Sequence, residues 1–202
     1  MAVEPKIVKG YVKTVSLIWM VSLALLAGFT GGIVFSAYRN NALMPNGLTQ
    51  ETAAPALSAQ QQESLRALLK KTQADPKDVA AWTQLADLYF DSGQSDLAIS
   101  AYERSLALDG SRPDVWTDLG VMYRRAGNPQ KAIEAFDHAI SIDPRHRIAL
   151  FNKGVVMMHD LKDPQGALSA WEKLVSIDPQ AKTPSGQPVK ELVDALKKEN
   201  AS

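Results

Sequence analysis

The sequence contains no cysteine and only three histidines among its 202 residues. Without cysteine, the chain has no disulfides, no thiol nucleophile, no CxxC redox or haem-attachment motif and no zinc-finger site. His138, His146 and His159 lie 8 and 13 positions apart, which matches no paired metal-ligand spacing. We therefore predict neither a metal nor a cofactor, and we interpret the histidines as surface or groove-edge residues.

An excess of either charge is also missing, because 22 basic residues balance 22 acidic ones. Residues 1–14 hold three lysines and one glutamate, which leaves 22 − 3 = 19 basic and 22 − 1 = 21 acidic residues in the remainder. A near-neutral remainder lacks the basic surface that binding to nucleic-acid phosphates requires. We therefore predict that nucleic acid is not a partner.

Catalytic motifs are absent as well. The sequence has no GxSxG nucleophile motif and no phosphate-binding glycine loop. Two carboxylate pairs at helical i, i+4 spacing, Asp87/Asp91 and Asp114/Asp118, fit solvated or groove-lining positions better than an acid/base site. We therefore predict that the protein is not an enzyme.

What the sequence does contain is one long uncharged run, from Thr14 to Tyr38. At about 1.5 Å per residue, this run extends roughly 37 Å as a helix and can cross a hydrocarbon layer of about 30 Å. Three lysines lie within residues 1–13, whereas only Arg39 follows closely, so the positive-inside rule directs the N-terminus to the cytoplasm. We predict a cytoplasmic tail over 1–13, a transmembrane helix over 14–38 and, in a bacterium, an inner-membrane protein with a periplasmic C-terminal domain. The alternative, a cleaved signal peptide, requires a shorter apolar region of about 7–15 residues.

Small residues recur every four positions in the predicted membrane helix, at Ala24, Gly28, Gly32 and Ser36. Such a ridge lets a second membrane helix approach closely, which predicts packing against a copy of the chain, as a homodimer, or against a partner helix. The alternative is that glycine and alanine are simply common in membrane helices. Residues 39–57 follow with two prolines and an Asn-Gly pair, which predicts a flexible linker.

The remainder of the chain is an internal repeat with a period of 34 residues. Residues 79–112 align with 113–146, and a third unit follows over 147–181 with one inserted residue between its halves. The aligned pairs of the first two units include Trp82 with Trp116, Leu85 with Leu119, Ala86 with Gly120, Tyr89 with Tyr123, Ala98 with Ala132, and Tyr102 with Phe136. Each unit has apolar residues at the spacing of two amphipathic helices. Residues 58–76 and 187–200 are predicted capping helices, because the end units of a solenoid expose an apolar face.

These residues resemble the tetratricopeptide repeat (TPR) family, and the middle unit matches all eight positions of its signature. The resemblance implies an all-α solenoid of three repeats over 58–202, which binds other proteins or peptide tails in a concave groove. In this family the first helix of each repeat lines the groove. The corresponding residues here are Asp87, Phe90, Thr117, Val121, Arg124, Arg125, Ile148, Phe151, Val155 and Met158.

Two parts of this groove are expected to contact the partner directly. We expect the apolar residues of the third unit to hold a hydrophobic side chain of the partner, and the two arginines to meet a carboxylate. The alternative is that Ile148 and Phe151 pack under the C-terminal helix or line a bare groove. The clamp by which some TPR domains bind chaperone tails is missing, because its positions hold other residues, namely Thr83, Asp87, Ile148 and Asn152.

The stretch 69–116 is also similar to membrane-anchored bacterial TPR proteins of the cytochrome c biogenesis type. This resemblance implies that the domain presents an apocytochrome C-terminus to the haem ligation machinery. Other roles are open: a structural scaffold or assembly subunit of a membrane or envelope complex, a translocon-associated chaperone-like protein, or, in a eukaryote, an organellar import receptor.

Overall fold

A computed structural model of the protein describes residues 57–200. Within this range the chain forms eight α-helices. Their bounds are α1 Ala59–Ala74, α2 Val79–Asp91, α3 Ser95–Leu108, α4 Pro113–Arg125, α5 Pro129–Ile142, α6 Arg147–His159, α7 Pro164–Ile177 and α8 Val189–Asn200. The predicted all-α fold is confirmed for this part of the chain.

The predicted membrane segment over 14–38, with its ridge of small residues, lies outside the described residues, as does most of the predicted linker. Among the helices of residues 57–200, none is long and apolar enough to span a bilayer. The transmembrane helix therefore stays a prediction.

Capping residues and prolines set the starts of the helices. The Ser58 hydroxyl accepts a hydrogen bond from the Gln61 N–H at 3.2 Å, and the Gln61 side chain accepts one from the Ser58 N–H at 2.9 Å. This reciprocal pair is a capping box, and it starts α1. A proline begins each of α4, α5 and α7, where its missing N–H has no helical partner to lose.

The turns inside the units differ in length. Gly93 and Gly127 lie at φ 72° and 75° in the turns of the first two units, a left-handed conformation that glycine adopts without steric cost. The third turn, residues 160–163, contains the inserted residue, and here Lys162 takes φ 56°. A side chain in this conformation is disfavoured, so the insertion stores a small strain.

Small residues let the two helices of each unit approach closely. A Cβ added at Gly120 would lie 2.5 Å from a Phe136 ring atom, and one added at Gly154 would lie 2.2 Å from Trp171 Nε1. The aromatic rings of α5 and α7 therefore pack directly on the backbones of α4 and α6. Both rings are buried, as is Tyr102 at the matching position of α3.

The connection between α7 and α8 differs from the other connections between units. Residues 75–78, 109–112 and 143–146 are four-residue links, whereas 178–188 is an eleven-residue link. The extra residues form a hairpin, with an isolated antiparallel bridge between Lys182 and Pro188. Thr183 N–H donates to Gln187 O at 2.8 Å, and Val189 N–H donates to Ala181 O at 2.9 Å. We call residues 182–188 the wall hairpin.

The solenoid ends are covered by the first and last helices. α1 packs against α2, and α8 packs against α7. On α8, Val189, Val193 and Leu196 are buried against Trp171 and Leu174. This C-terminal helix begins at Val189, two residues after the start of the predicted range 187–200.

Candidate protein-interaction surface

The first helices of the three units, α2, α4 and α6, contact one another through side chains on one face. The guanidinium of Arg125 on α4 lies 4.6 Å from the centre of the Phe90 ring on α2. Arg124 Nε, also on α4, lies 2.5 Å from Asp160 Oδ2 at the end of α6. We call this surface of α2, α4 and α6 the A-helix face; it contains most of the residues predicted to line a groove.

Both predicted carboxylate-binding arginines are therefore engaged within the fold. Arg124 is paired with Asp160, and Arg125 makes a cation–π contact with Phe90. A partner carboxylate at either arginine would have to compete with an existing contact. The sequence offered no sign of this, because the two contacts join residues that are 36 and 35 positions apart in the chain.

Carboxylates dominate the part of the A-helix face that α2 and α4 share. Burial raises the pKa of Asp118 to about 6, and repulsion from Asp87 and Asp114 adds to the shift, while His146 opposes it. Burial also raises the pKa of Asp87, although its carboxylate accepts a hydrogen bond from the Tyr102 hydroxyl at 2.8 Å. Only Asp118 is half-buried, and it is repelled by the two neighbouring carboxylates, whereas Asp87 and Asp114 are exposed.

His146 is buried, whereas a surface or groove-edge position was predicted for it. Its Nδ1 accepts a hydrogen bond from the Ala149 N–H at 3.2 Å and thereby caps the start of α6. An accepting Nδ1 leaves the proton on Nε2 in the neutral ring, so Nε2 donates to Asp114 Oδ1, 2.9 Å away. His146 fixes α6 relative to α4.

An open pocket of about 590 Å³ lies at the C-terminal end of this surface, between α6, the end of α7 and the wall hairpin. Ile148 lines the pocket and is 62% exposed, although it is a large apolar residue. Phe151 lies beside it and packs on Trp171, with ring centres 6.5 Å apart. The Trp171 indole N–H donates to the Phe151 carbonyl at 3.1 Å, which fixes the floor of the pocket.

Other predicted groove residues are less accessible. Thr117 is 2% exposed, and its hydroxyl donates to the Pro113 carbonyl at 2.8 Å, so it presents no group to a partner. Val121, Val155 and Met158 are partly buried and pack against the core. Sequence reasoning missed the pocket residues of the connection 178–188, whose Thr-Pro-Ser-Gly segment is the only signal of an ordered turn.

Comparison with known proteins supports the repeat assignment. A tetratricopeptide repeat profile matches residues 62–113, 83–146 and 117–182, which together span more than half of the chain. The chain belongs to the tetratricopeptide repeat family. TPR domains are protein-interaction modules, so the predicted repeat fold and the general role in protein binding are confirmed.

Solved TPR structures share the fold of this TPR chain. Two crystal structures of MamA match with TM-scores of 0.63 and 0.60, at 23% and 25% sequence identity, and cover 70% of this chain and 79% and 80% of theirs. The first TPR domain of Spaghetti (RPAP3), bound to an HSP90 peptide, matches with a TM-score of 0.54 at 18% identity, covering 63% of this chain and 97% of that one. A search of curated proteins finds no match. None of these comparisons supports the narrower similarity to the cytochrome c biogenesis type, which stays a prediction.

Proposed function

We propose that this TPR domain is an adaptor that binds a peptide segment of another protein on its A-helix face, with an apolar side chain of that segment in the 590 Å³ pocket. The exposure of Ile148 beside Phe151 carries the proposal. Ile148 leaves 62% of its surface in water at the mouth of a pocket, so a partner can bury apolar area there. Covering an aliphatic side chain stabilises a complex by about 1.5–3 kcal/mol when it becomes fully buried, and the partner's side chain adds a similar amount.

The pocket is suited to such a ligand because its floor is already ordered. Phe151 is held by its contact with Trp171, and the wall hairpin is held by its own backbone hydrogen bonds. Binding to a preformed site avoids the cost of ordering side chains on association. A short peptide segment therefore binds here more tightly than it would at a site that must first become ordered.

A membrane tether completes the proposal. The uncharged run over 14–38 supports a bilayer anchor, and residues 39–57 would allow the domain to search for partners near the membrane. An apocytochrome tail in the periplasm is the partner class implied by the resemblance of residues 69–116. A role as scaffold or assembly subunit of an envelope complex is the alternative, and it would use the same surface.

Photo-crosslinking in intact membranes tests the proposal. A photoreactive amino acid at position 148 of the full chain is expected to form a defined adduct with a partner protein. The same group at position 97 is the matched control, because Leu97 is also an exposed apolar residue (46%) but lies on α3, away from the pocket. The proposal fails if position 148 gives no adduct, or gives the same adducts as position 97.

The predicted helix ridge is tested separately in a membrane two-hybrid assay. Gly28→Leu with Gly32→Leu is expected to abolish association of the 14–38 segment, because leucine side chains prevent close helix approach. Unchanged association would exclude the ridge as a contact surface without affecting the proposal for the pocket.

A further inference from the structure

We propose that the pocket selects an apolar side chain that is adjacent in sequence to an acidic side chain, and that the wall hairpin supplies the charge for this selection. This inference rests on the proposed function, since it names the chemistry of the segment that binds there. Three features of the domain support it: the extra residues of the hairpin, the free donors at the pocket rim, and the position of the aspartates on the A-helix face.

The wall hairpin is an ordered addition to a connection that needs only four residues elsewhere in the chain. Thr183 and Gln187 are joined by hydrogen bonds in both directions along the turn, from Thr183 N–H to Gln187 O at 2.8 Å and from Gln187 N–H to Thr183 Oγ1 at 3.2 Å. Gly186, at φ 88°, supplies the left-handed residue that closes such a turn. Lys182 and Pro184 of this rigid element line the pocket, so the addition forms one of its walls.

The pocket rim offers hydrogen-bond donors and a net positive charge. Arg147 Nη1 donates to Asp178 Oδ2 at 2.7 Å, and the Gln180 N–H donates to Asp178 Oδ1 at 3.1 Å, so the one rim carboxylate is already satisfied. Within residues 57–200, the Lys182 ammonium has no ion-pair partner and the Asn152 amide has no hydrogen bond. Two cations against one paired anion favour a ligand that carries a carboxylate.

The other end of the A-helix face repels the same group. Asp87, Asp114 and Asp118 lie there, and the first two are close enough to Asp118 for their charges to raise its pKa. A segment with its acidic residue over these aspartates would suffer like-charge repulsion, whereas the reverse orientation places that residue beside Lys182. The charge distribution therefore specifies both the composition of the segment and its direction along the surface. We commit to a side-chain carboxylate within a continuous segment, because the surface continues past the pocket onto α4.

Selection from a phage-displayed library of random 12-residue peptides tests this inference. The peptides are fused to the coat protein at their C-termini, so that they carry no free terminal carboxylate. The target is the full chain in detergent micelles, as wild type, Lys182→Glu, Ile148→Ser, and Lys190→Glu. Lys190→Glu is the matched charge control, because Lys190 is exposed on α8 and does not line the pocket.

Wild type and Lys190→Glu are expected to enrich Leu, Ile, Phe or Met next to Asp or Glu, whereas Lys182→Glu should favour Lys or Arg at the second position. For the selected peptide made synthetically, with its C-terminus amidated, Lys182→Glu should raise Kd by about three- to tenfold, and by more at low salt. Glu→Gln in that peptide should remove most of this difference.

Two failures are distinguishable. If enriched peptides require Ile148 but show no acidic residue and no response to Lys182→Glu, this inference is wrong while the proposed function stands. If only synthetic peptides with a free C-terminal carboxylate bind, the carboxylate comes from a chain terminus and the inference is again overturned. If no enrichment depends on Ile148, both the inference and the proposed function fail.

Discussion

The structure predicts that Gly154→Ala lowers the free energy of unfolding. Gly154 lies on α6, where that helix packs against the indole ring of Trp171 on α7. A Cβ at position 154 would lie 2.2 Å from Trp171 Nε1 and 2.6 Å from Cδ1 and Cε2. Because non-bonded carbon atoms prefer separations of about 3.5–4.0 Å, the ring would have to move by more than about 1 Å.

Three contributions set the size of the effect. Overpacking a close-fitting site costs about 1–3 kcal/mol, and Trp171 has little room to move because it is 3% exposed. Displacing the indole also weakens its 3.1 Å hydrogen bond to the Phe151 carbonyl, at a cost of about 1 kcal/mol. Replacing glycine by alanine inside a helix also stabilises the helix by about 1 kcal/mol, which opposes these two losses. The free energy of unfolding should therefore fall by about 1–3 kcal/mol.

Urea denaturation of the full chain, followed by circular dichroism at 222 nm, measures this change. The first unit provides a control, because it combines Ala86 with Tyr102 at the positions of Gly154 and Trp171. The double variant Gly154→Ala/Trp171→Tyr transplants that pair and should be less destabilised than the sum of the two single variants. If Gly154→Ala is as stable as wild type, or if the double variant shows no coupling, close approach of α6 and α7 is not what requires glycine here.

Other predictions concern single positions and use the same urea titration. The folded pKa of Asp118, about 6, exceeds its ordinary value of 3.8, so the native state binds more protons and loses stability as pH rises through this window. Asp118→Asn should therefore stabilise the chain by about 1–2 kcal/mol at pH 7 and by much less at pH 4; an equal gain at both pH values would contradict this. His146→Leu should cost about 1 kcal/mol through loss of the cap on the Ala149 N–H, and His146→Asn should recover most of it, whereas equal losses would show that capping is not the cause. Lys162→Gly should gain about 0.5–1 kcal/mol and Gly127→Ala should lose about 1 kcal/mol, since both adopt positive φ; changes of the same sign would refute the reasoning.

The regular part of the fold follows from the sequence because the repeat defines it three times over. Trp82 and Trp116 share a position, and both indoles donate to a carbonyl six residues earlier, that of Pro76 and that of Gly110. Such local and periodic features depend on spacing alone. The helices of the three units could therefore be predicted, and so could the glycine turn of each of the first two units.

The candidate site was less predictable because it depends on how the units stack. The contact of Arg125 with Phe90 and the partial burial of Asp118 depend on how successive units stack, which the 34-residue period does not specify. The wall hairpin breaks the period, so alignment of the repeats gives no information about it. The pocket lies where this irregular segment meets the regular helix α6, and Lys182 and Ile148 come together only in the folded domain.

The surroundings of the tryptophans have an optical consequence. Trp82 and Trp116 are partly exposed, whereas Trp171 is buried directly beneath Phe151, with ring centres 6.5 Å apart. Replacing Trp19, Trp82 and Trp116 with phenylalanine would leave Trp171 as the only tryptophan, one side-chain layer below the pocket. An apolar group arriving on Phe151 would then alter the emission of that single indole, so the chain carries its own spectroscopic reporter of pocket occupancy.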